Sequence, residues 1–212
     1  MEKPDIHVIE HLVSRICHDL ISPVGAIQNG LELLDDMGPE GFEDARDLLN
    51  HSASQAAGRL KTFRMAFGAG GRDPNIGMSD VYKNFADYLP EGGRLQQRWD
   101  PMDVSMTVGD MPPGAPKLAL CALLIAAECL PKGGIVGIIA ADDRTLHIQA
   151  DGPTLMVPDT LQQAMRGTLP ADAHDAKLIT ALITALSAQS LDIRLELQPE
   201  KPDALLVMHL PR

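Results

Sequence analysis

The chain has 212 residues, 45% apolar and 22% charged, with a formal net charge of −11 and few aromatics: one Trp, two Tyr and four Phe. That length allows about one or two domains, with cores built from Leu, Ile, Val, Ala and Met. The acidic balance and the lack of Lys/Arg runs exclude a nucleic-acid surface and a basic membrane-surface helix, and no apolar stretch reaches the ~18 residues of a membrane span.

Cys17, Cys121 and Cys129 are odd in number and show no metal-ligand spacing. They read as small buried hydrophobes in a reducing compartment. The start, Met1-Glu2-Lys3-Pro4-Asp5, lacks the basic and apolar regions of a signal peptide. A soluble cytoplasmic protein is expected.

The first predicted element is one long helix. Ile6, Ile9, Val13, Ile16, Leu20, Val24, Ile27, Leu31 and Leu34 recur at steps of three and four, a nearly heptad stripe. His18 lies off that stripe. At about 100° per residue, Arg15, His18 and Ser22 form a row on the flank, with Asp19 beside it. Pro23 deprives the Asp19 carbonyl of its helical donor, which costs about 3 kcal/mol in a helix interior and predicts a bend. A histidine on an outer flank beside an acid, a hydroxyl and a kink has the character of a presented nucleophile.

Asp35 to Gly41 reads as a loop. A second helix follows, with Ala45, Leu49, Ser52, Ala56, Leu60, Phe63 and Phe67 on one face. Two long helices on a short loop make an antiparallel hairpin with an uncovered seam. A second copy would complete a four-helix bundle, and the alternative cover is the chain's own C-terminal half. Residues 1–68 are assigned to this hairpin and 69–76, rich in breakers with Gly70, Gly71 and Pro74, to a mobile linker. Residues 77–212 form the second domain. There the pattern predicts a helix over 79–89, strands over 94–99 and 102–108, and a buried helix over 117–130. Strands over 135–140 and 145–150 come next, then helices over 159–166 and 171–188, and strands over 191–197 and 204–210. The whole is an α+β chain whose sheet, antiparallel or mixed, carries helices on one face.

The stretch His18-Asp19-Leu20-Ile21-Ser22-Pro23 resembles the phosphoacceptor box in the dimerisation domain of histidine kinases. The second half is arranged like the ATP-binding domain that follows in those kinases. The helix ending on Pro131-Lys132-Gly133-Gly134 stands where their nucleotide-binding helix would be. Ile16 to Leu34 and Leu118 to Val136 together look like histidine phosphotransferases of the ChpT type, a resemblance that covers essentially the whole chain. The departures from a kinase are pronounced. A kinase needs an Asn on that helix for Mg²⁺ and phosphate, yet no Asn follows Asn84, and the stretch reads Leu124-Ile125-Ala126-Ala127-Glu128. Of the adenine box only Asp151-Gly152-Pro153 remains, and Gly167 is the only glycine after Gly152. Without glycine-freed backbone amides there is no phosphate cradle, so neither ATP binding nor autophosphorylation is expected.

The resemblance implies a homodimeric histidine phosphotransferase of a bacterial multistep phosphorelay. His18 would take a phosphoryl group from an aspartate on the receiver domain of a hybrid histidine kinase. It would then pass the group to the receiver of a response regulator. Asp19 would orient the imidazole or accept its proton, Ser22 would hydrogen-bond the phosphoryl group, and Arg15 would pair with phosphate or with the receiver's acidic rim. Gly25 and Ala26 would leave a shallow patch for a receiver helix. No cofactor or metal is expected on this chain, and Mg²⁺ is expected on the receiver's own acids. His7 and His11, one turn apart, lack a convincing third ligand. The other readings are a divergent histidine kinase and a non-enzymatic dimeric adaptor that docks receivers.

Overall fold

The structure is a computed structural model that describes residues 6–37, 42–168 and 178–211. Helices α1 (Ile6–Met37) and α2 (Phe42–Phe67) form the hairpin. Gly30 of α1 lies so close under Leu49 that a Cβ there would stand 2.9 Å from its side chain. Of the α1 stripe, Ile6, Ile9, Val13, Val24 and Leu31 are each 45–57% exposed, while Ile16, Leu20, Ile27 and Leu34 are half-buried. The second half of the chain reaches α1 through Arg15 and through α7, and the five exposed stripe residues stay open to solvent in the single chain.

After α2 come α3 (Met78–Tyr88), β1 (Leu95–Gln97), α4 (Pro101–Val108), α5 (Ala115–Glu128), β2 (Gly134–Asp142), β3 (Thr145–Asp151), α6 (Asp159–Met165), α7 (Ile179–Ser190), β4 (Arg194–Leu197) and β5 (Leu206–His209). The strands form one sheet in the order β1-β2-β3-β5-β4, in which only β1 and β2 run parallel. Register puts Ile138 opposite Ile148, Ile148 opposite Leu206, and Leu206 opposite Leu197. A parallel row joins Leu146, Met208 and Leu195. Those side chains make the face on which the helices pack, because alternate residues of a strand share a face.

Helix α5 lies at the centre. Residues 115–126 are buried without exception, and the helix is touched by α2, α3, α7 and by β2, β3 and β5. A helix apolar all round is stable only when enclosed in this way. The hairpin is welded to it at the end of α2. Met65 and Ala66 belong to the same core, Phe63 lies 6.3 Å from Tyr88, and Cys121 Sγ donates to the Ala66 carbonyl. Lys117 Nζ donates to the Gly68 carbonyl at 3.0 Å. The 69–76 stretch, expected to be a mobile linker, starts with a 3-10 turn over Ala69–Arg72. Its Gly71 is buried where a Cβ would meet the Met65 carbonyl at 2.1 Å. Gly71 thus serves close approach, whereas at Gly70 a Cβ would meet nothing within 4 Å.

One predicted element is corrected. Residues 102–108 are helix, not strand. Asp100 caps the helix by accepting from the Met102 amide at 2.8 Å, and Pro101 occupies its first position, where a missing amide is harmless. Val104 and Val108, one turn apart, are buried, while Met102 and Met106 are exposed. Alternation with period two over seven residues is thus also a pair of i, i+4 relations. The start of the predicted helix over 171–188 lies outside the described residues up to 177.

Candidate functional site

Helix α1 is continuous through Pro23, which is buried against the hairpin. Proline has no amide, so the Asp19 carbonyl, four residues earlier, lacks its helical donor. The Arg59 guanidinium of α2 supplies one, donating through Nη1. The proline that opens the backbone and the arginine that closes it lie on facing helices.

The side chain of Asp19 is 13% exposed and that of His18 is 85% exposed. His18 Nδ1 and Asp19 Oδ1 are 3.1 Å apart. A carboxylate only accepts hydrogen bonds, so Nδ1 carries the proton and donates it. Nε2, the other ring nitrogen, then keeps its lone pair and points into solvent. The other oxygen of Asp19 accepts from Arg15 Nε at 3.0 Å. Arg15 Nη2 in turn donates to Glu128 Oε1 at 2.7 Å, across to the end of α5. Tyr88, the last residue of α3, lies against the same guanidinium.

Burial of Arg15 by itself disfavours its charge. Glu128 and Asp19, with Tyr88 behind them, outweigh that cost and raise its pKa. Burial, with the Asp19 charge adding to it, raises that of the Tyr88 hydroxyl. Arg15 is therefore a fixed cation held between two acids, and Asp19 is an anchored base whose free edge is given to an exposed imidazole. In that tautomer the arrangement presents the Nε2 lone pair to any electrophile that approaches from solvent.

Of the four residues singled out in the sequence, the structure joins Arg15, His18 and Asp19 in one hydrogen-bonded row. Ser22 is exposed one turn further along α1 and takes no part in that row among the described residues. At Gly25 a Cβ would meet nothing within 4 Å, so the surface beyond His18 is open. Arg59, Tyr88 and Glu128 escaped the sequence reading. The first was discoverable, since an orphaned carbonyl demands a donor and a hairpin register that sets 30 against 49 also sets 19 against 59. Nothing local announces the other two.

Among the described residues no group of three or more His, Cys, Asp or Glu could hold a metal ion. His7 pairs with Glu10 at 3.1 Å on the exposed side of α1. Cys121 and Cys129 are buried, as expected, and burial pushes their thiols up to about 11 and about 12; Cys17, expected to be buried too, is exposed on α1. Below the end of α5 an open groove, lined by Arg15 and Glu128 and then by Cys129, Pro131, Met156 and Leu161, is mostly apolar.

Residues 78–203 match the histidine phosphotransferase C-terminal domain. The chain belongs to the histidine phosphotransferase family. It is 33% identical over 196 residues to a protein named Protein phosphotransferase ChpT from Brucella abortus (strain 2308), covering 91% of this chain and 90% of that protein. A span of that length takes in most of the hairpin as well as the α+β half. A solved structure described as a bacterial phosphotransferase superposes with a TM-score of 0.74 at 31% identity, covering 98% of this chain and 97% of that one. The resemblance read from the His18 box therefore holds over the whole phosphotransferase. It is an α+β enzyme with an N-terminal helical region and a five-stranded mixed sheet, and its class of activity is phosphoryl transfer in a phosphorelay. The kinase and adaptor readings are not favoured.

Proposed function

We propose that this phosphotransferase carries a phosphoryl group between the aspartates of two receiver domains through Nε2 of His18. The observation that supports it is the pairing of an 85% exposed imidazole with a 13% exposed carboxylate that accepts the Nδ1–H hydrogen bond. In the forward step Nε2 attacks phosphorus of an aspartyl phosphate in line. The N–P bond forms, the acyl O–P bond breaks, and the receiver's aspartate leaves with the electron pair. The ring then bears a phosphoryl group on Nε2 and its original proton on Nδ1, and Asp19 offsets the positive charge that develops there. Transfer to a second receiver reverses these bonds. Mg²⁺ would sit on the acids of the receiver and neutralise the moving charge. Ser22, one turn from His18, would hydrogen-bond the phosphoryl oxygens, and a receiver helix would approach over Gly25, where a Cβ would meet nothing within 4 Å. Arg15, held by two acids, serves Asp19 rather than phosphate.

The working molecule in this reading is a cytoplasmic homodimer in which the uncovered α1 stripes of two copies close a four-helix bundle. No described helix is long and apolar enough to cross a membrane. Phosphorylated receivers mixed with wild type and with His18→Ala, without ATP, test the relay. Acid-labile, base-stable label on the wild type alone is expected. Label on neither, with receivers still bound, would leave a docking adaptor.

A further inference from the structure

The row of polar contacts under His18 does not stop on its own helix. Glu128 is the last residue of α5, in the other half of the chain, yet its carboxylate holds Arg15 at 2.7 Å. Arg15 holds Asp19 at 3.0 Å, and Asp19 holds His18 at 3.1 Å. We propose that Glu128 is a positioning residue for phosphoryl transfer: by fixing Arg15 and balancing its charge, it leaves Asp19 to hold His18 as the Nδ1–H tautomer with Nε2 facing out. The proposal rests on His18 being the phosphoryl acceptor.

Geometry and charge both lead there. The guanidinium points Nε at one acid and Nη2 at another, so it is clamped at two points, and the rotamer of Asp19 is set by a group that cannot swing. Asp19 also lies between two cations, Arg15 at its carboxylate and Arg59 at its carbonyl. Arg15 is only 15% exposed, so water screens it poorly. With Glu128 neutral, the whole of that positive charge would fall on Asp19, and the carboxylate would turn from the imidazole towards the guanidinium. An unpartnered imidazole prefers the Nε2–H form, in which the outward nitrogen has no lone pair to offer. The α+β half, whose central helix carries no nucleotide-binding Asn, thus still reaches into the chemistry through the end of that helix.

Glu128→Gln keeps the shape and removes the charge, and Glu128→Asp keeps the charge and withdraws it by one methylene. Both would be assayed in single turnover with a receiver phosphorylated by acetyl phosphate, with His18→Ala alongside. The expected result for Glu128→Gln is about a tenfold loss of the saturated transfer rate, with the receiver concentration at half-saturation unchanged within about twofold. Long-range ¹H–¹⁵N spectra of His18 should show Nδ1–H in the wild type and a mixture of tautomers in the variant. In an Arg15→Leu background, Glu128→Gln should have no further effect. Wild-type rate and tautomer in Glu128→Gln, or lower thermal stability alone, would make Glu128 a mere tether between the halves and overturn the proposal. If Glu128→Gln does not fold, the same readings on Glu128→Asp decide, with a smaller loss expected. Label persisting on His18→Ala would instead overturn the role of His18.

Discussion

Asp19 carries two duties on two parts of one residue. Its carboxylate serves His18 and Arg15, and its carbonyl, stripped of a donor by Pro23, is served by Arg59. Arg59→Met keeps the stem and removes the donor, so it should cost about 1–3 kcal/mol, the usual penalty for stranding a partly buried acceptor. Pro23→Ala returns an amide to that carbonyl and should stabilise α1 by up to about 3 kcal/mol. Combined, the arginine's absence should cost less, and urea unfolding of the four proteins gives the coupling directly. At this scale the sequence was informative where partners lie within one helical turn. Arg15, His18 and Asp19 are neighbours by the arithmetic of a helix alone. Glu128 is 113 residues from Arg15, and no periodicity connects them.

Among the elements, α2 and α3 approach closely enough to decide a residue type. A Cβ on Gly58 would fall 1.9 Å from the Asp87 carbonyl oxygen. Glycine inside a helix forfeits about 1 kcal/mol against alanine, so Gly58→Ala would stabilise an isolated α2. Here the clash with backbone should win, for a net loss of about 1–3 kcal/mol in chemical unfolding and a looser α3. Thr62 Oγ1 to the Asn84 carbonyl and Lys61 to Asp87 sit at the same crossing and should weaken with it. Long elements were readable because many residues repeat one period: both hairpin helices and α5 emerged from apolar spacing. The short α4 did not, since four apolar residues at alternate positions satisfy strand and helix equally. The Asp100-Pro101 cap was the better guide there, being a statement about chain ends rather than faces.

For the whole molecule, the uncovered stripe of α1 and the buried lysine beneath α2 each predict a bulk property. Leu31→Glu places charge on the stripe far from His18 and, if the proposed dimer closes there, should shift light scattering from dimer to monomer. It should spare the fold, because Leu31 is 53% exposed in the single chain. Lys117 caps the end of α2 from the interior, and burial lowers its pKa from 10.5. The folded amine therefore releases its proton at lower pH than the unfolded one. Between the two values the unfolded chain binds more protons, so this residue's contribution to stability increases as pH rises through that window. As pH rises towards 10.5, the unfolding free energy should gain less, or lose more, in Lys117→Met than in the wild type.

The amino-acid sequence by itself determined the hairpin, the class of the second half, the flank on which His18 stands and the lack of any Asn after Asn84. Each of these depends on residue types at short, repeated spacings, which local geometry converts into faces. Only the tertiary structure decided that Asp19 is half-buried, that Arg59 replaces the amide Pro23 lacks, and that Arg15 answers to an acid at the end of α5. Those facts depend on which distant side chains meet once the hairpin has docked on the core, and a desolvated ion pair acquires its strength only from that enclosure.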